Sequence, residues 1–181
     1  MKSLLALSVL AFAPLSAHAA DITVPPGFKA TVVFEGIGPA RHLAVSPRGD
    51  LYISRNQPRD KPIPGILALR DTNGDGVFDE AKPFGDVAGT GIRFYKGDLY
   101  ASSATTLYRY RLTGGELAPS GQPDVVINGM PGPGGSRAFA FDDAGHVFVG
   151  VTGSGNTCTI GGPTGPVDNP CRQLATRGGI W

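Results

Sequence analysis

Two cysteines, two methionines, one tryptophan and three histidines are all that 181 residues contain of those types, and there is no basic run. Each scarcity excludes a class of protein. Two cysteines cannot build a disulfide-dense small fold, and one C-x12-C pair lacks the ligands of a structural zinc site. With 16 Lys and Arg against 15 Asp and Glu, the chain offers no electrostatic reason to bind nucleic acid or an anionic membrane. Helical stripes are missing as well, since no window of a dozen residues repeats its apolar positions at helical spacing. Beyond the first twenty residues nothing is apolar enough to cross a bilayer.

The first twenty residues, MKSLLALSVLAFAPLSAHAA, do carry an apolar run. With Lys2 ahead of it and small residues at Ala17 and Ala19 behind, residues 1–19 read as a secretory signal cleaved after Ala19. Export to the periplasm or outside the cell follows, and there Cys158 and Cys171 are expected to form one disulfide. Closing so short a loop stabilises by about 3 kcal/mol on the chain-entropy model.

What the chain has in quantity is glycine (27) and proline (16), with frequent Val, Tyr and Phe. That composition predicts an all-β fold. Three segments share one shape: HLAVSPRGDLYISR (42–55), GIRFYKGDLYASSA (91–104) and AFAFDDAGHVFVGV (138–151). Each reads as strand, glycine turn, strand. The turn glycines Gly49, Gly97 and Gly145 and the aromatics Tyr52, Tyr100 and Phe148 recur every 48 residues. GILALR (65–70), LYRYRL (107–112) and DVVING (124–129) supply further strands between them. A unit near 50 residues with about four short strands is a β-propeller blade, whereas a β-sandwich has no such unit. Residues 20–181 thus make about three blades, fewer than the four a closed propeller needs, and the expectation is a partial propeller truncated at its C-terminus.

The stretch RDTNGDGVFDE (70–80) resembles a calcium loop. Asp71, Asn73, Asp75, Gly76, Val77 (through its carbonyl) and Asp79 meet the first nine positions of an EF-hand. Position 12 is Lys82, however, and both flanks read as strand, so an EF-hand is excluded. A strand-loop-strand calcium site and a solvated hairpin both remain open.

Four segments in order carry a resemblance: PPGFKATVVFEGIGPARHLAVSPRGDLYISR, GILALRDTNGDGVFDEAKPFGDVAGTGIRFYKGDLYASSATTLYRY, SRAFAFDDAGHVFVGVTGSGNTC and NPCRQLATRGGIW. Together they resemble the N-terminal half of the PQQ-dependent glucose/sorbosone dehydrogenase-like propellers. The resemblance implies a six-bladed propeller that holds pyrroloquinoline quinone on its axial face, with calcium assisting. It implies hydride transfer from a sugar or aldehyde to the quinone, and an electron acceptor in the periplasm. Competent members place a general-base histidine before the third blade's inner strand. Here that position falls at Gly134, and no His, Glu or Asp lies between Met130 and Phe141. Glycine cannot take a proton, so the alternative is a non-catalytic propeller for a carbohydrate or cell-envelope ligand, or an inactive fragment.

In a propeller the leading end of each inner strand opens on the ligand face. Those entrances are Pro39-Ala40-Arg41-His42, Gly89-Thr90-Gly91 and Gly134-Gly135-Ser136-Arg137. Arg41, Thr90 and Arg137 are the expected cofactor contacts, the arginines because a guanidinium grips a carboxylate bidentately. The competing reading is of channel-lining groups paired with one another. His42 and Arg137 are the candidates for a substitute catalytic role; His146, beside a turn glycine, is expected at the surface. The Gly- and Pro-rich loop from Thr152 to Asn169, pinned by the cysteines, is read as either functional or a stapled excursion.

Overall fold

The computed structural model describes residues 22–58, 60–87, 89–131, 137–152, 158–162, 164–175 and 178–180. Apart from one 3-10 turn at Arg172–Ala175, its regular structure is β throughout. Strands β1 (Ala40–Val45), β2 (Leu51–Arg55), β3 (Ile66–Arg70) and β4 (Glu80–Phe84) form one sheet in sequence order, every neighbour antiparallel. Strands β5 (Ile92–Tyr95), β6 (Asp98–Ser102), β7 (Leu107–Tyr110) and β8 (Asp124–Ile127) repeat the meander. In the third sheet β9 (Phe139–Phe141), β10 (Val147–Val151) and β11 (Gly179–Ile180) are described. The chain is a partial β-propeller, with β1 beside β5 and β5 beside β9 at its centre.

The 48-residue step has a backbone cause. Gly49, Gly97 and Gly145 close the inner hairpins at φ of 90°, 88° and 97°, a region costly to any side chain with a Cβ. Period-2 alternation then sends opposite faces of each blade to opposite neighbours. Tyr52, Ile66 and Ala68 of the first blade meet Ile92, Leu99, Ala101 and Tyr110 of the second. Tyr100 and Leu107 of the second meet Phe139 and Val149 of the third. The aromatic edges interlock at both boundaries, Tyr52 on Phe94 at 5.0 Å between centroids and Tyr100 on Phe141 at 4.7 Å. Pro83 is tolerated in β4 because that strand is an outer edge and needs no donor on its free side.

Two features fall outside the repeat. Phe148 keeps the step of Tyr52 and Tyr100 but is 46% exposed where they are buried, because it points away from the second blade. The stretch at 33–37, which has no period, covers the first blade's other face: Phe34, Ile37 and Phe78 pack on Ile53, Leu67 and Leu69, and the Phe78 amide donates to the Val33 carbonyl at 2.9 Å.

Candidate site at the inner-strand entrances

The expected cofactor contacts stand at one sequence offset from matched strand pairs, Arg41 in a bulge between Ala40 and His42. Leu43, Ile92 and Phe139 pair with Ile53, Ala101 and Val149 in their own blades, and Arg41, Thr90 and Arg137 each stand two residues ahead of that trio. Their surroundings diverge. Arg41 and His42 are exposed, and Thr90 is half-buried. The main chain of His42 is held by Ser54, whose hydroxyl accepts from the His42 amide at 3.2 Å and donates to its carbonyl at 3.3 Å. Gly134 and Ser136 lie outside the described residues.

Arg137 is wholly buried. Its Nε donates to the Ala104 carbonyl at 2.9 Å, one terminal nitrogen to Thr152 Oγ1 at 3.2 Å and the other to the Pro131 carbonyl at 2.6 Å. The Arg137 carbonyl accepts the Ser102 hydroxyl at 2.5 Å. The β6–β7 turn, the stretch leading to β9 and the residue after β10 are thereby bolted together. Neutral oxygens along all three sides of the fork satisfy a buried cation without a carboxylate, as burial of charge requires.

Arg55 was not among the expected site residues. It ends β2 opposite Ala40, is 9% exposed and donates to the Pro64 carbonyl at 2.7 Å. Its Nε has no partner, and it forms no ion pair among the described residues. Burial alone pulls its pKa down. The available signal was a cation at a strand end directly across from an entrance residue.

At the opposite end of the blades Arg70 grips Asp50 bidentately, at 2.6 and 2.7 Å, and reaches the Gly115 carbonyl of the second blade at 3.1 Å. Asp50 is 5% exposed. Its hydrogen bond holds the Arg70 pKa above the usual value, and the Tyr52 phenol beside it is pushed up to about 12, by burial first and by the Asp50 charge second.

The calcium-like stretch is the β3–β4 hairpin loop, with Arg70 paired to Glu80 across its base. Asp71 accepts the Gly74 and Gly76 amides at 2.7 and 2.8 Å, Asn73 accepts the Asp75 amide at 2.9 Å, and Asp75 accepts the Val77 amide at 2.8 Å. Asp79 accepts the Thr72 amide and hydroxyl at 2.9 and 2.7 Å. These oxygens close the loop on itself, and among the described residues no three His, Cys, Asp or Glu side chains converge on a common point for a metal. Cys158 and Cys171 are bonded, as expected, and Asp168 caps the following turn through the Arg172 amide at 3.0 Å. His146 is at the surface, its Nδ1 2.6 Å from Asp142.

A cleft of about 330 Å³ opens between the outer parts of the first two blades, walled by Phe84, Asp86, Tyr108, Tyr110 and Gln122. It includes none of Arg41, Thr90 or Arg137. Tyr110 is 2% exposed, and its buried hydroxyl has no partner among the described residues.

Successive antiparallel meanders with their inner strands side by side define a partial β-propeller. Solved structures share the fold. The PQQ domain of pyranose dehydrogenase from Coprinopsis cinerea matches with a TM-score of 0.57 at 15% identity, over 69% of this chain and 30% of that one. A calcium structure of the Trichoderma reesei carbohydrate-active enzyme family AA12 matches with a TM-score of 0.52 at 16% identity, over 69% of this chain and 32% of that one. The matched region is therefore about a third of those structures. No protein-family model and no curated sequence matches the chain. No helix among the described residues is long and apolar enough to cross a membrane.

Proposed function

We propose that the chain belongs to an exported, PQQ-dependent oxidoreductase acting on a sugar or aldehyde. What supports this reading is a propeller fold that recurs in a PQQ domain, with Arg41, Thr90 and Arg137 each two residues ahead of a matched inner-strand pair in its own blade. The cofactor is a tricarboxylate and needs cations and hydroxyl donors. Arg41, exposed at the first entrance, and the Thr90 hydroxyl at the second fit that need. The Arg137 guanidinium does not, since protein oxygens already take its three nitrogens. When bound, the quinone supplies a hydride acceptor. The chain's own tasks are then to grip carboxylates through Arg41, to orient them through Thr90, and to hold the second and third entrances together through Arg137. His42 is the described imidazole at an entrance and the candidate proton acceptor. A calcium at the β3–β4 hairpin would need Asp71, Asn73, Asp75, the Val77 carbonyl and Asp79, but the side-chain oxygens of that set are already taken by the loop's own amides and hydroxyl and do not fit the ion as they stand.

Titration of the purified full chain with PQQ and calcium, followed by dye reduction with a panel of aldoses, tests the proposal. Saturable quinone binding that weakens about tenfold in Arg41→Ala, at unchanged melting temperature, is the expected result. Absence of both binding and dye reduction rejects it.

A second reading, a non-catalytic carbohydrate binder, is favoured by the cleft at Tyr108 and Tyr110. An aromatic wall, an acid and an amide suit a polyhydroxylated ligand. Sugar binding without PQQ, abolished by Tyr108→Ala, separates the two.

A further inference from the structure

The first entrance is built differently from the other two. In the second and third blades the inner strand pairs with its neighbour in unbroken register. That register runs on toward the entrance, where the Ser102 amide donates to the Gly91 carbonyl at 3.0 Å and the Gly150 amide to the Ala138 carbonyl at 2.8 Å. In the first blade Ala40 pairs with Arg55 and His42 with Ser54, so Arg41 is an extra residue with no partner across the ladder. Regular alternation would send Arg41 to the same face as Leu43. A bulge resets that alternation and re-aims the side chain at it.

The bulge is held at both ends. On the near side the Asn56 amide donates to the Pro39 carbonyl at 2.9 Å. On the far side stands Ser54, which is 2% exposed. Its hydroxyl takes the His42 amide at 3.2 Å and donates to the His42 carbonyl at 3.3 Å, so it serves the main chain of a single residue twice. One 48-residue step on, Ser102 is 1% exposed, and its hydroxyl donates to the main chain of another entrance residue, Arg137, at 2.5 Å. A buried serine at this repeat position thus fixes entrance backbone in two blades, and only the first of them faces a bulge. The third step falls on Gly150, which has no side chain to do so. The bulge and its clamp both lie within one hairpin, β1 with β2.

We propose that Ser54 is a positioning residue for the first entrance: its hydroxyl sets the β1 bulge and so aims the Arg41 guanidinium at a carboxylate of the cofactor. This rests on Arg41 being a cofactor contact, as proposed above, and adds the residue through which that contact is set. Ser54 acts through the His42 main chain and not on the ligand.

A double-variant cycle on the purified full chain tests this, with PQQ as the probe in equilibrium titrations and amide hydrogen exchange of His42 measured without it. Ser54→Ala should weaken PQQ binding about tenfold, as Arg41→Ala does. The double variant should bind no more weakly than Arg41→Ala alone, because both changes remove one and the same contact. A serine that only supports the fold would instead give losses that add. In Ser54→Ala the His42 amide should exchange about tenfold faster or more, while the amides of β5 and β6 keep their wild-type rates. Ser54→Cys, close in size but a weak donor, should fall between wild type and Ser54→Ala in both measurements. Should Ser54→Ala lose its cooperative melt, the cycle is run with Ser54→Cys in its place. Wild-type PQQ affinity without the hydroxyl, additive losses, or an unmoved His42 exchange rate overturns the inference. If the wild-type chain binds no PQQ, the cofactor reading fails by itself, and the His42 exchange rate alone then decides whether Ser54 sets the bulge.

Discussion

The boundary between the first and second blades and the boundary between the second and third are built alike in their aromatic cores and oppositely in their arginines. Both interlock a tyrosine from β2 or β6 with a phenylalanine of the next inner strand. At the first boundary Arg70 lies at the end away from the entrances, a quarter exposed, with its charge matched by Asp50. At the second, Arg137 lies at the entrance end, wholly buried, with its charge answered by neutral oxygens among the described residues. The same side chain thus serves as one arm of an ion pair in one place and as a three-pronged backbone brace in the other. An arginine near a ligand face is therefore no measure of how much positive charge that face offers.

The largest expected effect breaks this contrast at Arg137. Arg137→Met strands the Ala104 and Pro131 carbonyls and the Thr152 hydroxyl in a buried site, and should cost about 3 kcal/mol or more by denaturant unfolding. Arg137→Lys should recover little, because an ammonium cannot reproduce a fork that serves three acceptors in fixed directions. A variant of unchanged stability that loses only ligand affinity would return Arg137 to the role expected of it from its place in the sequence.

Next in size is Asp50→Asn. Removing one partner of a buried pair costs about 3–5 kcal/mol when the survivor stays dry. Arg70 is a quarter exposed and keeps the Gly115 carbonyl, so a loss of about 2 kcal/mol is expected. The double variant Asp50→Asn with Arg70→Met should lose less than the sum of the two singles, as partners in contact do. Additive losses would show the pair to be uncoupled.

The contrast also marks how far the sequence was readable. Period and turn chemistry are local, and they placed β1 and β2, β5 and β6, and β9 and β10 together with their three glycine turns and the β3–β4 hairpin. The Asp50–Arg70 pair was within reach: once Leu51 is set opposite Leu69, residues 50 and 70 face each other. The fate of Arg137 was not, because its acceptors at 104, 131 and 152 come from three loops with no shared spacing. Nor was the exposure of Phe148, which has the strand position of a core aromatic but no neighbouring blade among the described residues. The packing of residues 33–37 left no signal because an irregular segment has no period.

The smallest effect belongs to the region most exposed to water, and it sharpens the comparison of charge that is buried with charge that is not. Asp79 in the β3–β4 loop has its carboxyl held below the usual value, first by the Thr72 hydroxyl and then by the Thr72 amide. A depressed folded pKa adds stability above the unfolded value near 3.9 and gives it up as pH falls through the lower folded one. The loop should therefore keep this contribution at neutral pH and lose it only in acid below about pH 4. Thr72→Val removes the hydroxyl and keeps the amide, so the Asp79 midpoint, followed by carboxyl carbon NMR, should rise part of the way toward about 3.9. The melting temperature at neutral pH should barely move, since an exposed hydrogen bond is exchanged for one to water. Repeating the titration with a calcium chelator separates the two readings of this loop. A midpoint unmoved by the chelator assigns the low pKa to Thr72 and the loop's own amides, whereas a rise on chelation assigns it to a bound cation, with the loop serving as its cage.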